Sequence, residues 1–188
     1  MRRRTKAAVV ITALGALSLS AYGANAADTT RTANVNTDSA VAPESASWHR
    51  GTVQANKRIM ERFTSEFLPT GDPEMAKKFL SPDIVMHFAG TTHQGRDTYL
   101  GIVAASMRAF PDLKWTVEDM RAEGDTVAIR YTMTGTHEGP FAGVEGTGRK
   151  VHAESFAFYR LTRGKIVEER AQLDMLTILQ QMGAIPAA

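Results

Sequence analysis

Near the C-terminal end, Glu168, Arg170, Gln172 and Asp174 alternate with Val167, Glu169, Ala171 and Leu173, so strand geometry would put the two sets on opposite faces. Asp174 stands between Leu173 and Met175, just ahead of Leu176, Ile178 and Leu179. A carboxylate held against apolar surface has its charged form disfavoured, which raises its pKa and suits it to general-base work near neutral pH. The same position equally suits the cap of a C-terminal helix beginning near Met175. His152 shares the parity of Glu154, Phe156 and Phe158 in a long strand, and a histidine with a carboxylate beside an aromatic floor could serve as acid and base, although a strand histidine more often satisfies a local hydrogen bond or faces solvent. His87, within Ile84-Val85-Met86-His87-Phe88, is a lone polar residue in an apolar strand, as fitting for a satisfied core histidine as for a pocket group.

Other chemistries are excluded by what the sequence lacks. With no cysteine there is no disulfide, thiolate nucleophile or cysteine metal site. The five histidines show no paired ligand spacing, so no metal site is expected. No phosphate loop, dinucleotide fingerprint or Gly-x-Ser-x-Gly elbow is present. Cofactor-free acid–base chemistry or simple ligand binding remains.

These residues need a scaffold. Val53, Ile59, Met60, Phe63 and Phe67 recur at spacings of three and four and predict a helix over 52–68. Asp72-Pro73 opens a second short helix through Leu80, stopped by Ser81-Pro82. A buried strand is expected over 84–89, and a third helix over 95–110 with Tyr99, Ile102, Val103, Met107 and Phe110 on its apolar side. Beyond Pro111 the pattern changes to strands over 113–121, 126–136, 149–162 and 165 to about 176, separated by turn signals at Glu123-Gly124-Asp125, Gly139-Pro140 and Arg163-Gly164. Helices first and strands later define an α+β class, with helices packed on one face of a curved antiparallel sheet. A sheet bent around a helix encloses a cavity at its wide end, where small ligands bind. If Phe156, Phe158, Trp115 and Met133 closed that space, the cone would instead be filled.

The first 48 residues are of another kind. Met1 to Lys6 is basic, Ala7 to about Gly23 is uncharged and apolar, and Ala24-Asn25-Ala26 supplies a small-x-small cleavage pattern. Residues 1–26 therefore read as a secretory signal peptide, which predicts an exported protein with no stable membrane span after cleavage; the alternative is an uncleaved anchor, for which the apolar run is at the short edge of what spans a bilayer. Residues 27–48, rich in Thr, Ala, Asn and Asp, read as a disordered linker. Residues 49–188 form one domain. Without Arg2, Arg3, Arg4 and Lys6 the 22 basic residues fall to 18 against 20 acidic ones, so the net charge of +2 becomes −2. The electrostatic argument for a nucleic-acid partner goes with the leader.

Several segments together carry a family resemblance. Phe110-Pro111-Asp112-Leu113, Ala122-Glu123-Gly124-Asp125-Thr126-Val127-Ala128, Thr134-Gly135-Thr136-His137-Glu138-Gly139, Gly146-Thr147-Gly148-Arg149, Gly164-Lys165-Ile166-Val167-Glu168 and Asp174 before Gln181-Met182-Gly183 resemble, in order and spacing, the SnoaL-like polyketide cyclases, also called ester cyclases. The similarity covers about residues 54–186. It implies the conical α+β fold of the nuclear-transport-factor-2-like (cystatin-like) superfamily, commonly a homodimer through the sheets. It also implies cofactor-free ring closure by intramolecular aldol condensation. Asp174 matches the family's base, His152 best matches its helper histidine, and His87 is the next match. Many relatives carry tryptophan four residues before the aspartate, where this chain has Arg170, a cation that would lower the pKa of Asp174 or bind an anionic substrate group. The expected site is thus Asp174 and His152 as catalytic residues, with His87, Arg170, Phe110, Trp115 and Phe156 contacting a small hydrophobic substrate.

Overall fold

The computed structural model describes residues 43–186. The signal peptide and most of the linker inferred from the sequence lie outside the described residues. Helix α1 spans Pro43–Arg62 and so begins inside the segment read as linker; it continues as a π-helical turn, Phe63–Phe67. Then come α2 (Pro73–Phe79), β1 (Leu80–Phe88), β2 (Thr91–Gln94), α3 (Arg96–Ala109), β3 (Lys114–Glu123), β4 (Thr126–Thr136), β5 (Lys150–Thr162), β6 (Lys165–Leu173) and α4 (Met175–Met182).

The helices form where apolar spacing and caps allow. Met60, Phe63 and Phe67 are fully buried, as the spacing of three and four requires. Asp72 caps α2, accepting from the backbone N–H groups of Glu74 at 2.7 Å and Met75 at 3.0 Å, with Pro73 in the first turn. Ser81-Pro82 does not end the helix in a loop. The chain passes directly into β1, and its pairing with β6 shifts register between Leu80 and Val85, around the proline that cannot donate a ladder bond.

The six strands form one curved sheet in the order β2-β1-β6-β5-β4-β3. It is mixed rather than wholly antiparallel: β1 runs parallel to β6, with Val85 beside Glu168 and His87 beside Arg170. The sequence carries no strand signal for β2, because its four residues Thr91 to Gln94 are polar and too few to show a period. β6 ends at Leu173 because Asp174 already caps α4.

Alternation along the long strands separates two faces. β4 buries Val127, Ile129, Tyr131 and Met133, and β5 buries Val151, Ala153, Ser155, Ala157, Tyr159 and Leu161. α1 packs on β3 and β4, α3 on β1 and β2, and α4 on β5. The opposite parity of β5, which carries His152, Glu154, Phe156 and Phe158, is exposed.

Candidate active site

Between α3 and the inner face of the sheet lies a cavity of about 100 Å³. Its walls are mostly apolar, with Met86, Trp115, Met133 and Phe141 among them, and its polar groups are Tyr99, Ser106, Tyr131, Ser155, Tyr159 and Glu169. Strand register explains the polar cluster. Glu169 on β6 stands directly beside Tyr159 on β5 and Met86 on β1, and Tyr131 on β4 stands beside Ser155 on β5. Tyr99 reaches the same point from the first turns of α3 and is itself buried.

Glu169 is only 5% exposed, and its Oε2 atom has no hydrogen-bond partner among the described residues. Burial pushes its pKa up to about 7, and hydrogen bonding from the Tyr99 and Tyr159 hydroxyls, which favours the charged form, limits the rise. The Tyr131 and Tyr159 hydroxyls lie 3.1 Å apart. Burial, and the neighbouring Glu169 charge, raise the pKa of all three tyrosines, so near neutral pH they remain protonated donors. A carboxyl group that gains and loses a proton near neutrality, in an apolar space walled by fixed hydroxyls, has the chemistry of a general base.

Of the seven residues expected from sequence, Trp115 alone is among those lining this cavity, its ring set edge-on to Tyr131 at 5.8 Å. Asp174 is exposed and caps α4: Oδ1 accepts from Thr177 N at 3.0 Å and Oδ2 from the Thr177 hydroxyl at 2.6 Å. Those bonds hold its pKa below the usual carboxylate value, opposite to the rise expected of a base packed on apolar surface. Of its two sequence readings, the geometry is that of the cap. His152 is exposed; its backbone N–H donates to the Gln181 side chain at 2.7 Å, and its carbonyl accepts back at 3.0 Å. It borders a shallow polar groove with Asp112, Thr136 and Lys150.

His87, Arg170 and Phe156 come together on the outer face of the sheet, in a groove with Phe158 and Gln172. There Arg170 does not meet Asp174. It pairs with Glu168 at 2.7 Å, which also binds Arg160 at 2.9 Å and faces His87 Nε2 at 3.3 Å. The Arg160 hydrogen bond foremost, with Arg170, keeps the Glu168 carboxyl below its ordinary pKa. Phe110 is fully buried in the other end of the core, against His137 and Phe141. Phe156 and Phe158 lie outside and therefore do not fill the cone.

Glu169 and its tyrosines were missed because the aromatic pair Phe156 and Phe158 suggested the wrong parity of β5 as the inner one. The signal was present: in Val167, Glu169, Ala171 and Leu173 a single carboxylate interrupts an otherwise apolar face.

A cone of helices packed on a curved sheet around a mostly apolar cavity defines the nuclear-transport-factor-2-like class of cavity proteins. Within it, this chain belongs to the SnoaL-like polyketide cyclase family, whose model matches residues 58–182. IdmH from Streptomyces antibioticus, described as a polyketide cyclase, is 31% identical with a TM-score of 0.61, over 68% of this chain and 98% of its own. AclR from Streptomyces galilaeus, described as a hydroxylase, is 30% identical with a TM-score of 0.64, over 72% of this chain and 85% of its own. A SnoaL-like protein from Jannaschia sp. CCS1 shares the fold at 23% identity and TM-score 0.66, over 72% of this chain and 96% of its own. No curated protein matched.

Proposed function

We propose that this protein carries out cofactor-free proton transfer on a small apolar carbonyl compound, by aldol-type cyclisation or isomerisation, with Glu169 as the base. The observation that carries the reading is a buried carboxyl group with one unpartnered oxygen at an apolar cavity, its pKa near 7. Glu169 takes a proton from the carbon next to a carbonyl, leaving an enolate. In ring closure that carbon attacks a second carbonyl of the same molecule, and the resulting alkoxide recovers the proton from the Glu169 carboxyl. In isomerisation the proton returns at another carbon. Neither route needs an outside oxidant or reductant. The reading moves the base from Asp174, the position implied by family resemblance, to Glu169, five residues earlier and inside the cone.

The test is exchange of the α-protons of cyclohexanone in heavy water, followed by NMR. A positioned base contributes roughly 10² to 10⁴ in rate, so Glu169→Gln is expected to lose about that much, while Asp174→Asn stays within a few-fold of the parent. Exchange unaffected by Glu169→Gln, or lost with Asp174→Asn in a folded protein, would return the base to the sequence-predicted position or remove it.

A non-catalytic role, holding a hydrophobic small molecule, is the second reading. Its support is that Glu169 is the one carboxyl lining the cavity among the described residues, with no histidine beside it as a second proton carrier. AclR's description as a hydroxylase is a reminder that this fold hosts more than one chemistry. The reading also includes export, from the leader, and pairing of two copies through the outer sheet face, where Phe156 and Phe158 are 49% and 55% exposed.

A further inference from the structure

We propose that the carbonyl compound this cavity takes is uncharged and brings, besides its carbonyl, a hydroxyl group of its own (an alcohol, enol or phenol) to Glu169 Oε2, and that the cavity rejects anions. This rests on the cavity being the substrate site and adds the chemical class it accepts.

A buried carboxyl oxygen without a donor is expensive, and native proteins rarely leave one so. The donors nearby leave it unserved. Neither Tyr99 nor Tyr159 bonds to Oε2, the Tyr131 hydroxyl lies 3.1 Å from that of Tyr159, and Ser155 Oγ donates to the Gln172 carbonyl at 3.0 Å. The missing donor at Oε2 therefore has to arrive with the ligand. A ketone or ether oxygen only accepts, so a ligand with no other polar group leaves the ionised carboxylate unsatisfied, whereas an added hydroxyl satisfies it with its single proton.

Charge selection follows from the rest of the lining. Among the described residues around the cavity there is no lysine, arginine or histidine. An anionic ligand would lose its hydration and meet a carboxylate with no compensating cation. An ammonium group would satisfy Oε2 but bring further N–H donors into walls that are mostly apolar, so one orphan acceptor matches one hydroxyl better. Size is restrictive too. The space is smaller than the roughly 150 Å³ cavity known to hold benzene, so at most a single ring enters, and only as the flexible side chains of Met86, Met107 and Met133 give way. A longer substrate would present only its narrow, uncharged, hydroxyl-bearing end.

The experiment is isothermal titration of the full chain with phenol, anisole, benzoate and benzylamine on the alkaline side of neutrality. Phenol is expected to bind roughly tenfold more tightly than anisole, the value of one hydrogen bond to a charged acceptor, and benzoate not at all. In Glu169→Leu phenol should lose that advantage while anisole keeps its affinity. The proposal is overturned if phenol and anisole bind the parent equally, if benzoate matches phenol, if benzylamine binds tightest, or if none of the four binds. The parent's ranking decides even if the leucine variant does not fold. It is also separable from the catalytic reading: loss of hydroxyl selectivity leaves Glu169-dependent proton exchange standing, and exchange unaffected by Glu169→Gln leaves the ranking of the four probes standing.

Discussion

Glu169 is held between opposed effects. Burial favours the neutral acid, and the Tyr99 and Tyr159 hydroxyls favour the carboxylate. The balance leaves it ionised in part near neutral pH, where a base has both proton affinity and a usable population. Removing either phenol takes away an effect that lowers the pKa, so the pKa must rise. Because the base works ionised, the acidic limb of the rate profile should move to higher pH in Tyr99→Phe and Tyr159→Phe, with the high-pH plateau changed much less. The pH dependence of kcat/KM for proton exchange measures this. A limb that stays in place, or moves toward acid, would mean the tyrosines do not tune Glu169.

At the scale of elements, the segment between β4 and β5 forms part of the cavity wall and is tightly fixed for a loop. His137 N–H donates to Arg149 O at 2.8 Å, Glu138 N–H to Ala109 O at 2.9 Å, and Phe141 and Val144 exchange backbone bonds at 2.9 Å, which sets Phe141 beside the cavity. Gly146 is required there because any side-chain carbon would fall on the carbonyl group of Glu138. Gly146→Ala is expected to cost about 2 kcal/mol or more in urea unfolding and to weaken phenol binding by displacing Phe141; an unchanged midpoint would show that the loop gives way freely. Much of this level was legible in sequence. The spacing of Met60, Phe63 and Phe67 gave a helix, and turn residues bounded β4 at Thr126 and Thr136. The alternation of β5 was also legible, but which parity faces inward was not. Val151, Tyr159 and Leu161 compete with Phe156 and Phe158, and the choice depends on the pairing of Tyr159 with Glu169 and of Tyr131 with Ser155. The parallel pairing of β1 with β6 is likewise non-local, and no window of sequence contains it.

For the whole molecule, the outer face and the buried acid have separate consequences. If two copies pair through Phe156 and Phe158, replacing both by Glu should convert a dimer to monomers in sedimentation while leaving the inner cavity and its proton exchange intact; an unchanged sedimentation coefficient would place any interface elsewhere. Glu169 makes the fold's stability depend on pH in a direction opposite to most carboxylates. Its folded pKa of about 7 exceeds the ordinary 4.5, so between those values the native state binds more protons than the unfolded chain. Stability from this group is therefore full below about 4.5, falls as pH rises toward 7, and is flat above. Glu168, Asp112 and Asp174 have lowered values and act the other way, losing their contribution as pH falls through the acid range. Comparing the parent with Glu169→Gln isolates the buried acid, since the surface carboxylates are common to both. In urea unfolding the variant should gain on the parent by roughly 2 to 3 kcal/mol between roughly pH 5 and pH 8. Parallel curves would mean that Glu169 titrates as an ordinary carboxyl group, and a base poised near neutrality would then be absent from the cavity.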